Sequence, residues 1–158
     1  TYEVAAALKQ AGVDDYLLSD KIYNSQKVKH LRLLGHCLAN RMEIMEDYGV
    51  GIMWLTRKDY ADFDIQRGDT EGIVNYMLMI ENVKVAAFIL EQPAIIKISL
   101  RSKGDISVQE IAQIYFNGGG HKNASGSGVY ASLKDVKDRV RKVMPEYLKK
   151  YQDQKQIN

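Results

Sequence analysis

Two apolar runs of strand length, Val83–Glu91 (VKVAAFILE) and Ala94–Arg101 (AIIKISLR), are separated only by Gln92-Pro93. Such a pair reads as a β-hairpin with its turn at the proline. In the second run Ile96, Ile98 and Leu100 share one face, and Lys97, Ser99 and Arg101 share the other, because side chains alternate along a strand. A sheet with an apolar face needs a covering layer, and the rest of the chain offers helices for it. The expected fold class is therefore α/β: a small mixed sheet of about four strands flanked by helices, preceded by a long connecting helix.

The remaining elements follow from periodicity and caps. Residues 1–24 read as one or two short helices broken at Gly12, a C-cap glycine. A longer helix runs from Ser25 to about Asp47, with Val28, Leu31, Leu34, Leu38, Met42 and Met45 three or four apart on one stripe. Gly49–Leu55 is a third strand, buried on both faces. Arg57–Phe63 is a short helix. Thr70–Ile80 is another, with Asp69 as its N-cap. Ser107-Val108-Gln109-Glu110 is a capping box opening a helix to about Phe116, with Ile111, Ile114 and Tyr115 inward. Gly128–Ala131 reads as a last short strand. Ser132 to Asp135 then caps a final helix that Pro145 breaks or kinks.

Totals exclude several classes. The 158 residues suit one domain, and 46% apolar content with two prolines supports a real core. A net charge of +2 is too small for a general polyanion binder. The lone Cys37 precludes an internal disulfide and fits a reducing, cytoplasmic setting. No apolar run approaches the length of a membrane span, so no membrane partner is expected. His30 and Cys37 stand seven apart on one helix, and Asp62, Asp64, Asp69 and Glu71 are scattered. None of these matches a metal-ligand spacing, and packing, capping and solvation account for them. Trp54 has two readings, a core residue or a platform for a base.

The chemistry concentrates in Asn117-Gly118-Gly119-Gly120-His121-Lys122-Asn123-Ala124-Ser125-Gly126. Successive glycine amides can turn inward as an anion-binding nest. His121 and Lys122 set a titratable ring and a cation beside it. A plain glycine turn with a surface histidine is the alternative. Strand 94–101 ends in Arg101-Ser102-Lys103-Gly104, a planar guanidinium fork suited to phosphate oxygens, with a hydroxyl and an ammonium; a solvent-facing polar strand is the alternative there.

Taken together, the strand ending Arg101-Ser102-x-Gly104, the capped helix and Phe116-Asn117-Gly118-Gly119-Gly120-His121-x-x-Ala124-Ser125-Gly126 closely resemble the accessory, or DHH-associated, domain of the DHH phosphoesterases. That superfamily includes RecJ-like exonucleases, nano-RNases that also dephosphorylate phosphoadenosine phosphate, and exopolyphosphatase-like proteins. Thr70-Glu71-Gly72-Ile73-Val74-Asn75, Val83-Lys84-Val85-Ala86 and Leu33-Leu34-Gly35 look like the nano-RNase branch. The resemblance covers essentially the whole chain, and its GGGH motif with Gly126 is the most specific part.

The resemblance implies two lobes, of which the amino-terminal one carries aspartates and an Asp-His-His triplet holding two manganese ions. No such triplet occurs here, so no metal ligands and no cofactor are expected in this chain. Residues 1–47 would be the end of that lobe and a helical linker, and 48–158 the substrate-binding domain. By the same resemblance Arg101 and Ser102 would contact substrate, the Gly118, Gly119 and Gly120 amides would cradle a phosphate, and His121 would donate to an oxygen near the scissile group. The implied partners are short RNA or DNA or a nucleotide phosphate, with a homodimer compatible. Two rivals stand beside this: a non-catalytic nucleic-acid-binding module, such as alanyl-tRNA synthetases look to carry, and a dimerisation module built on the hairpin.

Overall fold

The computed structural model describes residues 2–157. Its elements in chain order are α1 (Tyr2–Gln10), α2 (Asp15–Tyr23), α3 (Val28–Asn40), β1 (Met42–Met45), a 3-10 turn (Glu46–Tyr48), β2 (Val50–Leu55), α4 (Arg57–Asp62), α5 (Ile73–Leu78), β3 (Val85–Glu91), β4 (Ile96–Ser102), α6 (Val108–Phe116), β5 (Gly119–His121), β6 (Ala124–Val129) and α7 (Leu133–Ile157). They fall into two compact units, residues 1–32 and 33–158. In the first, Gly12 takes φ +87° between the two short helices. The Asp14 carboxylate there accepts from the Leu17 amide at 3.0 Å to cap α2. No described helix is long and apolar enough to cross a membrane.

The second unit is built on one sheet of order β1-β2-β3-β4-β6-β5. β2 and β3 run parallel, and every other neighbouring pair is antiparallel. The two faces have separate cores. On one, Val50, Ile52, Val85, Ala87, Ile89, Ile96, Ile98 and Leu100 pack under α6 and α7 through Ile111, Phe116, Val140 and Met144. On the other, Met53, Leu55, Ala86, Phe88 and Leu90 pack under Leu33 and Cys37 of α3 and Ile73, Val74 and Met77 of α5.

This second core draws on no residue of β4, β5 or β6. Past β3 the face carries Lys97, Ser99 and Arg101 of β4, then Ala124, Gly126 and Gly128 of β6, then Gly119 and His121 of β5, set by register. Polar and small side chains cannot recruit an apolar cover, so half of one sheet face stays open. That half carries both Arg101 and His121.

The sheet has six strands where four were expected, still mixed and flanked by helices. β1 occupies the end of the expected Ser25–Asp47 helix, because Met42–Met45 pairs with Val50–Met53 and gains a ladder there. The buried positions of α3 are Leu33 and Cys37, whereas Val28 and Leu31 are exposed. The Thr70–Ile80 helix shortens to α5, capped by Gly72 in a left-handed conformation rather than by Asp69. Asp69 instead closes a turn by accepting from the Gln66 amide at 2.9 Å. Ile114 faces solvent. The last helix runs through Pro145 unbroken, since Val136 and Val140 before it and Leu148 after it are all anchored in one core. The glycine run is not a loop: Gly119–His121 is the edge strand of the sheet, paired with β6, which starts earlier than the expected Gly128 strand.

Candidate functional site

The glycine segment is shaped by how α6 ends. Ser107 starts the helix by accepting from the Glu110 amide at 3.2 Å, and Asn117 ends it in the left-handed region at φ +51°. The last-turn carbonyl of Ala112 takes the amides of both Asn117 and Gly118. The amide of Gly118 is thus already spent, and the expected cradle of three glycine amides loses its first member.

The three glycines have different reasons. A Cβ on Gly118 would stand 2.3 Å from the Gly126 carbonyl oxygen, and the chain cannot accommodate one. Gly120 takes φ +143°, and a Cβ there would lie 2.6 Å from the Ala124 carbonyl oxygen. Gly119 is unlike both: nothing lies within 4 Å of where its Cβ would be. It bares the main chain toward open space on an edge strand.

The hairpin between β5 and β6 is clamped to the end of β4 by a residue that sequence reasoning missed. Asn123 Nδ2 donates to Ser102 Oγ and to the Gly104 carbonyl, each at 2.9 Å. The Asn123 carbonyl takes the Ser102 amide at 3.2 Å, and the Lys122 carbonyl takes the Val108 amide at 2.8 Å. An asparagine inside a tight hairpin turn is the signal that was available. Ser102, expected at the site, lies elsewhere. It is buried on the opposite sheet face from Arg101, and its hydroxyl donates to the Ile106 carbonyl at 2.7 Å. Alternation along β4 explains this: consecutive residues cannot share a face.

Arg101 and His121 do share one. Register aligns Arg101 of β4 with Ala124 of β6, and Ala124 with His121 of β5. The next row on that face is Ser99, Gly126 and Gly119. The Arg101 and His121 Cα atoms therefore stand two strand spacings apart, about 10 Å. Between them lies only the Ala124 methyl, low enough for a guanidinium and an imidazole to converge above it. Arg101 Nη1 donates to the Leu100 carbonyl at 2.9 Å, which leaves most of its fork available. The exposed His121 ring has no partner among the described residues. Lys103 and Lys122 are committed elsewhere, to the Ile80 carbonyl at 3.2 Å and to Asp105 at 3.0 Å.

Other polar groups are structural. Asp59 is buried and receives Arg41 Nε at 2.8 Å, Arg41 Nη2 at 2.9 Å, and the Thr56 amide and hydroxyl at 2.8 Å each. His36 Nε2 adds a contact at 2.9 Å. Burial alone would raise this carboxyl, but the Arg41 and Thr56 hydrogen bonds outweigh it and hold it far below the ordinary carboxylate range. Burial, with the Asp59 charge, pushes the Cys37 thiol up to about 12. Trp54 packs against the α7-side core with Lys137 Nζ 3.2 Å from its ring centroid, on the face away from His121. Among the described residues no group of three or more His, Cys, Asp or Glu is placed to hold a metal ion. The described residues do not fit a metal pair.

Residues 46–150 match the model of the DHHA1 domain. The chain belongs to the DHHA1 family, the DHH-associated domain of DHH phosphoesterases. The DHHA1 domain here resembles the crystal structure of an exopolyphosphatase-related protein from Bacteroides fragilis, with 36% identity and a TM-score of 0.88 over 93% of this chain and 43% of that one. It is 27% identical to the bifunctional oligoribonuclease and PAP phosphatase NrnA of Thermus thermophilus over 146 residues, 92% of this chain and 43% of that protein. It is 28% identical to a 3',5'-cyclic-nucleotide phosphodiesterase of Helicobacter pylori over 96 residues, 52% of this chain and 28% of that protein. The chain thus spans less than half the length of these relatives.

Proposed function

We propose that this DHHA1 domain is the substrate-holding lobe of a metal-dependent phosphoesterase acting on short oligonucleotides or nucleotide phosphates. The observation that carries the reading is the row Arg101–Ala124–His121 on an open sheet face, with the bare backbone of Gly119 in the adjoining row. The names of the Thermus and Helicobacter relatives, an oligoribonuclease and a nucleotide phosphodiesterase, support the same substrate class. In this proposal the two manganese ions belong to residues outside this chain, and the chain itself binds and orients.

Each group has a distinct part. The Arg101 guanidinium engages a phosphate bidentately and fixes its plane. Gly119, with nothing within 4 Å of where its Cβ would be, lets the phosphate approach the backbone without a side chain between. His121, exposed beside it, donates to an oxygen of the same group, where a positioned donor is worth most as negative charge develops. Ser102, buried on the far face, acts only by holding the Asn123 turn.

In the intact enzyme Arg101→Ala and His121→Ala are each expected to cut kcat/KM on a short oligonucleotide by about 100-fold, the scale of losing one transition-state donor, with unchanged thermal stability. Wild-type rates in both variants contradict the assignment. The 158-residue chain alone is expected to release no phosphate with manganese present, and measurable manganese-dependent release contradicts that part.

A further inference from the structure

The row of polar side chains that contains Arg101 continues along β4. Ser99 and Lys97 follow at two-residue intervals on the same face, opposite Gly126 and Gly128 of β6. Lys97 lies about 13 Å from Arg101 at a strand rise of about 3.3 Å per residue. There it enters the lining of a cavity of 480 Å3, together with Tyr60, Arg67, Glu71 and Gln92. Ser99 and the bare Gly126 lie between the two ends on that face.

Two cations at this far end share one cavity. Arg67 and Lys97 are exposed and held by nothing among the described residues, yet both line the same cavity. Tyr60 supplies an aromatic wall beside Gln92, and Glu71 supplies an acceptor suited to a ribose hydroxyl or a base amino group. An apolar ring, two free cations and an acceptor within one cavity are the complement of a nucleotide.

Resting on the proposed function, we infer that this cavity is the subsite for the second nucleotide of a short oligonucleotide whose first phosphate lies at Arg101 and His121. Lys97 and Arg67 take the second phosphate, and its base lies along Tyr60. A mononucleotide fills only the Arg101 end, whereas a dinucleotide spans both. The open sheet face therefore measures length.

Calorimetric titration of the chain with adenosine 5′-monophosphate and with a 5′-phosphorylated diadenylate, at one fixed salt concentration, tests this. The dinucleotide is expected to bind at least tenfold more tightly, and the double variant Arg67→Ala/Lys97→Ala to lose most of that advantage while keeping mononucleotide affinity. Lys58→Ala/Lys134→Ala, two surface cations outside the cavity, is expected to keep it. A double variant at Arg67 and Lys97 that binds dinucleotide like the parent overturns the subsite and leaves the Arg101–His121 site standing. Equal losses in both double variants also overturn it, by showing general charge attraction. Failure of the parent chain to bind either ligand overturns the subsite and the proposed function together.

Discussion

At the scale of single residues, the glycines separate fold from function more sharply than the polar groups do. Gly118 and Gly120 are dictated by backbone approach and by a positive φ, while Gly119 answers to nothing inside the chain. Gly118→Ala is expected to destabilise by about 1–3 kcal/mol, the range for forcing atoms into filled space. Gly119→Ala is expected to change stability by no more than about 1 kcal/mol and yet to weaken nucleotide binding. Urea denaturation beside a binding titration separates the two, and a Gly119→Ala chain that binds normally contradicts the close-approach role. Asp59 gives a stability test instead. Its folded-state carboxyl sits below the ordinary value of 3.8, so the stability it confers is fully present above that value and is lost as pH falls below it. Asp59→Ala should cost about 3 kcal/mol by orphaning the partly buried Arg41 and removing the α4 cap, and its unfolding free energy should then vary less between pH 5 and pH 3 than the parent's.

Among the elements, those with a strong period were legible and those assembled by pairing were not. β3 and β4 announce themselves through long apolar runs and the alternation of Ile96, Ile98 and Leu100 against Lys97, Ser99 and Arg101. β1 escapes because Met42 and Met45 continue the three-and-four spacing of the helix before them. β5 and β6 escape because Gly119, Gly120, Gly126 and Gly128 have low strand propensity, and only pairing with β4 makes strands of them. The same assembly decided the site. Arg101 and the GGGH segment could be named from sequence, but their placement in one row depends on register, and the loss of Ser102 to the other face follows from β4 continuing through it. Asn123 enforces that register at the hairpin tip. Asn123→Ala leaves the buried Ser102 hydroxyl without its donor and is expected to cost about 1–3 kcal/mol. Hydrogen exchange should then quicken at Val108 and Ser102, whose amides bond to the same turn; unaltered exchange at both contradicts the clamp.

For the whole molecule, the asymmetry of the sheet matters most. One face is packed under α6 and α7, and the apolar core on the other draws on no strand beyond β3. That division gives a rigid platform with a polar, glycine-floored half, which suits a lobe that presents substrate to chemistry supplied from elsewhere. Family membership over residues 46–150 agrees with it. The central claim is that this open half is where substrate binds, and amide chemical-shift mapping of the isotopically labelled chain with adenosine 5′-monophosphate tests it most directly. The account predicts saturable shifts centred on Gly119, His121 and Arg101, absent in Arg101→Ala. Shifts confined to the α7 face around Trp54 and Lys137, or none at all, would contradict it.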